Sequence, residues 1–253
     1  MCGRYASTRE PDDLVEEFDV LERHLAAPLE PDYNVAPTKP VYAVLDRPPR
    51  RSEDGEASAP VRQLRSLTWG LVPSWAKDPS IGSRLINARS ETVAEKPSFR
   101  RAFAARRCIL PADGYYEWYA ATPAGGKQRK QPFFIRPRDG GTLAMAGLYE
   151  IWRDPERADD DPDRFRWTCT VITTEAEDEL GRIHDRMPLM VTSERRDAWL
   201  DPRTPVAGLL DLLEPASPGV LEAFAVSTAV GNVRNNGPDL VRPLADDDVW
   251  ELA

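Results

Sequence analysis

The chain has 253 residues, of which 41% are hydrophobic and 30% charged, and carries a formal net charge of −9. That length fits one large domain or two small ones and can bury a substantial core; a single domain over 1–253 is expected, and no apolar run approaches the ~20 residues of a membrane span. An acidic balance argues against indiscriminate nucleic-acid binding, and three cysteines without a paired spacing, beside two histidines, fit neither a disulfide framework nor a zinc site.

In chain order, the first notable residue is Cys2, directly behind Met1. Removing Met1 would leave a 1,2-aminothiol whose amine has an ordinary pKa of roughly 7.7–8.0. Such a group can form a Schiff base with an aldehyde and then close through its thiol to a thiazolidine. Cys2 also suits the plainer role of a small second residue that lets Met1 be trimmed. Gly3 permits close approach of a backbone or ligand, and Arg4 could hold a phosphate beside the amine. No apolar segment follows Arg4 and Arg9, so a signal peptide is not expected and a cytoplasmic location is.

Residues 10–18 read as a helix, and His24 sits in a second helical-looking stretch with a structural role. A strand is expected at 40–45, a polar loop at 47–60 and a strand at 65–70. In the run 69–75 (WGLVPSW), Trp69 suits core packing, whereas Trp75 beside a Pro turn suits stacking on unpaired bases. Between residues 84 and 130 stand ten Lys and Arg against four Asp and Glu, with acidity gathered at 12–19, 159–163 and 246–248. An acidic chain can thus still hold a cationic groove. Within it, Asn87 offers donors and an acceptor that suit an amine or a sugar hydroxyl, or a turn. Arg89 shares its side of an extended chain, for a phosphate or a surface ion pair.

Helices are expected at 92–95 and 98–105, and strands at 108–110 and 114–119. In the latter, Glu117 points with Tyr115 and Tyr119, away from Tyr116 and Trp118. A carboxylate among aromatics on an interior strand either pairs with an arginine or has its pKa raised towards neutrality, as a proton shuttle needs. A loop at 122–131, strands at 132–135 and 143–148, a loop at 153–163, a strand at 167–173 and a helix at 177–180 follow. His184 titrates near physiological pH and is either a satisfied hydrogen-bonding residue or a catalyst held by Asp185 or Glu117. Arg186 adds a fork able to take phosphate. Helices at 193–200 and 206–213 and a strand at 224–226 precede a polar turn at 231–238, where Arg234 could meet a phosphate. Strands and helices do not alternate regularly. The expected class is α+β, a mixed, mostly antiparallel sheet curled into a barrel-like core with peripheral helices.

Seven segments, in this order, carry a resemblance: 1–6 (MCGRYA), 33–38 (YNVAPT), 69–75 (WGLVPSW), 86–92 (INARSET), 111–118 (PADGYYEW), 184–188 (HDRMP) and 231–237 (GNVRNNG). Together they resemble the SOS response-associated peptidase family of abasic-site processing proteins over nearly the whole chain. The resemblance implies a covalent thiazolidine between Cys2 and the ring-opened aldehyde of an abasic site in single-stranded DNA. Asn87 would position amine and sugar, Glu117 would shuttle protons, and His184 would assist ring opening. Arg4, Arg89, Arg186 and Arg234 would contact phosphates, with Trp75 stacking at the distorted strand. Where several relatives carry a second large aromatic, Ala76 stands here. A monomer without metal or cofactor is implied, associated with the nucleoid when bound to damaged DNA. The family name also keeps open a cysteine-type N-terminal hydrolase or autoprotease, in which the Cys2 amine serves as base for its own thiol.

Overall fold

The structure, a computed structural model, describes residues 2–47, 59–121, 129–176, 180–215, 217 and 219–245. Its elements are β1 (Tyr5–Ser7), α1 (Pro11–Glu17), β2 (Glu22–His24), β3 (Asp32–Val35), β4 (Pro40–Arg47), β5 (Val61–Trp69) and β6 (Asn87–Arg89). There follow α2 (Arg100–Ala105), β7 (Arg107–Ala112), β8 (Gly114–Ala121), β9 (Arg129–Pro137), β10 (Leu143–Arg153) and β11 (Phe165–Glu175). The chain continues through α3 (Leu180–Ile183), β12 (Arg186–Pro188), α4 (Arg196–Leu200), α5 (Val206–Leu210) and β13 (Leu221–Ala225).

Five strands form a closed ring. β11, β10, β7, β4 and β5 pair antiparallel in that order, and β5 then pairs in parallel with β11 through Thr68–Thr168 and Trp69–Cys169. The two-residue period of a strand sorts the side chains. Val41, Ala43 and Leu45 of β4 join Cys108 and Leu110 of β7, Met145 of β10 and Val171 of β11 in one buried cluster. Tyr42 and Val44 face the other way and pack with Leu14 of α1, Phe18 at its end, Phe103 of α2, Trp199 of α4 and Leu209 of α5. Both faces of β4 are therefore apolar, so it reads as a near-continuous hydrophobic run. Each fully buried Val or Leu contributes about 1.5–3 kcal/mol. The expected barrel-like core with peripheral helices is what the chain forms.

A second sheet, ordered β13–β9–β8–β1–β3, covers one end of the ring. Its Tyr5, Val35, Tyr115, Phe133 and Ile135 belong to the same cluster as the barrel interior, and so does Cys2. One apolar core is thus continuous across both sheets.

Several expectations change. His24 lies in β2, parallel to β5, and not in a helix; its ring is exposed and bonded to Glu22 at 2.8 Å. Of the expected helix 92–95, Thr92 ends a 3-10 segment, Ser90–Thr92, and 93–95 are turns; the helix begins only at Arg100. β9 starts at Arg129, inside the expected loop 122–131, and β13 starts three residues before the expected 224. The expected helices 193–200 and 206–213 shorten to α4, after a 3-10 turn, and to α5. Most of loop 47–60, residues 122–128, the start of helix 177–180 and the acidic stretch 246–248 lie outside the described residues.

Candidate functional site

Cys2, Asn87, Glu117 and His184 converge where the two sheets meet. β1 pairs with β8, with Tyr5 opposite Tyr115, and the Tyr116 amide donates to the Arg4 carbonyl at 2.9 Å. This carries the amino-terminal end of the chain alongside Glu117. β6 pairs in parallel with β11, placing Asn87 opposite Val171. β12 pairs with the far end of β11, and His184 fills the short turn between α3 and β12.

Asn87 makes the direct link. Its Nδ2 donates to the Cys2 carbonyl oxygen at 2.8 Å. Its Oδ1 is buried and accepts no hydrogen bond among the described residues. An unpaired buried acceptor costs on the order of 1–3 kcal/mol, so native structures rarely keep one without reason. Trp69 fixes the strand that carries Asn87: its indole N–H donates to the Ile86 carbonyl at 2.9 Å, and its ring packs on Tyr5 at 5.1 Å.

Cys2 is fully buried. Burial pushes its thiol well above the ordinary range, and the Glu117 carboxylate adds to the rise. Glu117 is 4% exposed, and burial pushes its carboxyl up to about 7, with Asp185 adding to the rise. The alternation expected for β8 holds: Tyr115 and Tyr119 pack with the barrel-side core, and Tyr116 and Trp118 with the opposite one.

His184 Nε2 stands 4.0 Å from Glu117 Oε2. Its Nδ1 lies 3.0 Å from the Arg186 amide nitrogen, a contact that favours the ring proton on Nε2, facing Glu117, and 2.9 Å from Asp185 Oδ1, one that favours it on Nδ1. Burial lowers the His184 pKa, and Asp185, 2.9 Å from Nδ1, pulls against it. Near neutral pH the pair is thus a neutral imidazole beside a carboxyl that gives or takes a proton readily.

The expected cation set divides. Arg89 and Arg234 are exposed. Arg4 donates from Nη1 to Asn34 Oδ1 at 2.6 Å and to the Val230 carbonyl at 2.9 Å, and stacks over Trp118 at 5.7 Å. Arg186 is buried and grips Glu91 through both Nη atoms, at 2.6 and 3.1 Å, with a further bond to the Thr173 carbonyl at 2.6 Å. A phosphate reaching Arg186 would have to compete with Glu91.

Trp75 is 53% exposed on a loop held at many points. The Gly70 amide donates to Cys169 O at 2.8 Å, the Val72 amide to Thr168 Oγ1 at 2.9 Å, and the Ser74 amide to Glu150 Oε2 at 3.2 Å. Trp152 Nε1 donates to the Ala76 carbonyl at 2.7 Å. Gly70 adopts φ +127°, and a Cβ there would come within 2.8 Å of the Gly82 carbonyl oxygen, so no larger residue fits.

Asn34 carries no chemical role that its sequence context alone reveals. It is fully buried and donates to the carbonyls of Val230, Asn232 and Asn235 at 3.2, 3.0 and 3.0 Å while accepting from Arg4. It thereby ties the 231–237 turn to the amino-terminal strand. Its place in the 33–38 segment is the one signal that could have found it. Among the described residues no group of His, Cys, Asp or Glu is arranged to hold a metal ion, and no helix is long and apolar enough to cross a membrane.

The family model for the SOS response associated peptidase (SRAP) matches residues 1–233. The abasic site processing protein YoqW of Bacillus subtilis is 39% identical over 242 residues, which cover 95% of this chain and 99% of that one. The abasic site processing protein HMCES of Gallus gallus is 32% identical over 238 residues, 85% of this chain and 66% of that one. A crystal structure of a protein from Bacteroides thetaiotaomicron superposes with a TM-score of 0.76 at 24% identity, covering 96% of this chain and all of that one.

Proposed function

Because the chain belongs to the SOS response associated peptidase family, we propose that it processes abasic sites in DNA, using Cys2 to form a covalent thiazolidine with the lesion in single-stranded DNA. The observation that carries this reading is Asn87, which holds the Cys2 carbonyl with one side-chain atom and keeps a buried acceptor open with the other.

The chemistry starts once Met1 is removed and the Cys2 amine is free. His184 and Glu117 move the proton that opens the sugar hemiacetal to the C1′ aldehyde. The amine attacks C1′, with Asn87 Oδ1 accepting one of its hydrogens, and loss of water from the carbinolamine leaves a Schiff base. Because burial keeps the Cys2 thiol protonated, the amine acts first and the thiol follows. Sulfur then bonds to C1′ while its proton passes through Glu117 to the imine nitrogen. Amine, thiol and aldehyde thus become a thiazolidine plus one water. A carboxyl with a pKa of about 7 suits both halves of that transfer near neutrality. The product lacks the free aldehyde that drives β-elimination, so the strand is shielded from breakage. Arg89 and Arg234 meet phosphates and Trp75 stacks on a neighbouring base.

A peptidase reading would need a donor aimed at a substrate carbonyl, and the Asn87 amide is already spent on the carbonyl of Cys2 itself. Intact-mass spectrometry of the chain, with and without an abasic single-stranded oligonucleotide, tests the proposal. The expected species is Met1-free protein plus oligonucleotide less one water, absent for Cys2→Ala. An equal adduct from Cys2→Ala would refute it.

A further inference from the structure

We propose that the end of the barrel remote from Cys2 binds a phosphate-class oxyanion between Arg47 and Arg65. The strand register places both guanidinium groups there. Ala43 and Leu45 point into the barrel, so by the two-residue period Arg47 shares their face. Arg65 lies opposite Ala43 and alternates with Leu67 and Trp69, which also point inward. The two side chains converge on Trp167, with Cζ atoms 4.9 and 4.2 Å from its ring centre. The indole is in turn stacked on Tyr149 at 5.7 Å and 13°.

What marks the pair is that no carboxylate among the described residues bonds it directly, Glu22 acting on Arg65 only through space. Arg62 bonds Asp46 and Asp197, Arg106 bonds Glu150, and Arg186 bonds Glu91. Among the described residues neither Arg47 nor Arg65 forms an ion pair, and Arg65 Nε donates only to the neutral Gln63 Oε1, at 2.8 Å. Burial lowers the proton affinity of the Arg65 guanidinium, and the neighbouring Arg47 lowers it further. Stacking on an indole offsets part of the cost of crowding two cations. An oxyanion would neutralise both, and the planar forks of two arginines match the oxygens of a phosphate group. The chemistry is the same for a phosphodiester of a nucleic-acid strand and for free phosphate.

Isothermal titration calorimetry of the full chain with inorganic phosphate, at ionic strength held constant with chloride, tests this. The wild type is expected to bind one phosphate, and Arg47→Gln/Arg65→Gln to bind it about tenfold more weakly or less, with abasic-site crosslinking at Cys2 unchanged. If the double variant does not fold, Arg47→Gln alone serves, at the end of its strand. An undamaged oligothymidylate that displaces the phosphate identifies a strand as the source; failure to displace it identifies free phosphate. No binding to the wild type, or equal binding to wild type and variants, overturns the proposal.

Discussion

The side-chain amide of Asn87 donates to the carbonyl oxygen of Cys2 at 2.8 Å, joining positions 85 residues apart. Replacing Asn87 with Ala removes this bond and the open acceptor beside it. Net loss of one such bond is about 0.5–1.5 kcal/mol, and misplacing the amine adds to the barrier. Crosslinking to abasic DNA should slow by about tenfold or more, measured by gel-shift kinetics under denaturing conditions. Asn87→Asp should do no better, because it turns an acceptor towards the Cys2 carbonyl. Wild-type rates from either variant would remove Asn87 from the chemistry.

Glu117 sets the pH behaviour. Its folded pKa, about 7, is raised above the ordinary carboxylate value by burial. The folded chain therefore binds this proton more tightly than the unfolded chain. The resulting stability is fully present below about pH 4.5 and is lost as pH rises through 7, with a total of roughly 3 kcal/mol. Glu117→Gln removes that dependence. Denaturant unfolding should show the variant more stable than the wild type at about pH 8, with the gap closing towards pH 4.5, while its crosslinking rate falls. A gap that widens on acidification would contradict the assignment.

Asn34 predicts a stability effect away from the reacting atoms. Asn34→Ala removes an acceptor from Arg4 and a donor from three carbonyls; the Val230 carbonyl keeps Arg4 and the Asn232 carbonyl keeps the Asn235 amide, so the cost is about 1–3 kcal/mol. A lower midpoint in thermal unfolding is expected, with faster amide exchange across 230–236. An unchanged exchange pattern there would mean that the turn holds itself.

Arg89 and Arg186 should behave differently although both look like phosphate ligands in sequence. Arg89→Ala, at an exposed position, should leave stability unchanged and reduce the salt slope of single-stranded DNA binding by about one. Arg186→Ala removes the bonds to Glu91 and to the Thr173 carbonyl; because Glu91 is itself exposed and is solvated once released, the loss of stability without DNA is about 1–3 kcal/mol. Equal stability loss in the two variants would erase the distinction.

The residues of the proposed chemistry are legible in the sequence, and their surroundings less so. Glu117 can be read because β8 is eight residues long and alternates cleanly, so period two fixes its face. β1, β2, β6 and β12 have three residues each, too few to show a period, and they exist because a longer strand pairs with them. His24 illustrates this: its apolar neighbours suggest a helix, yet Gln63–Arg65 of β5 holds its segment extended. Arg4 and Arg186 are readable as cations, but the partners that occupy them are not, since Asn34 and Glu91 lie 30 and 95 residues away. Trp75 is readable as exposed because Pro73 and the polar run after it leave little to bury it.

β5 and β11 close the ring through two residue pairs a hundred positions apart, and the strand carrying Asn87 hangs on β11. The order of synthesis therefore runs against the order of assembly. Cys2 leaves the ribosome at the very start, but the strand that brings Asn87 to it cannot dock until residues 165–175 have been made, and His184 follows later still. A growing chain thus displays Cys2 long before it owns a pocket for it. On the proposed chemistry, competence at the lesion belongs to the finished barrel.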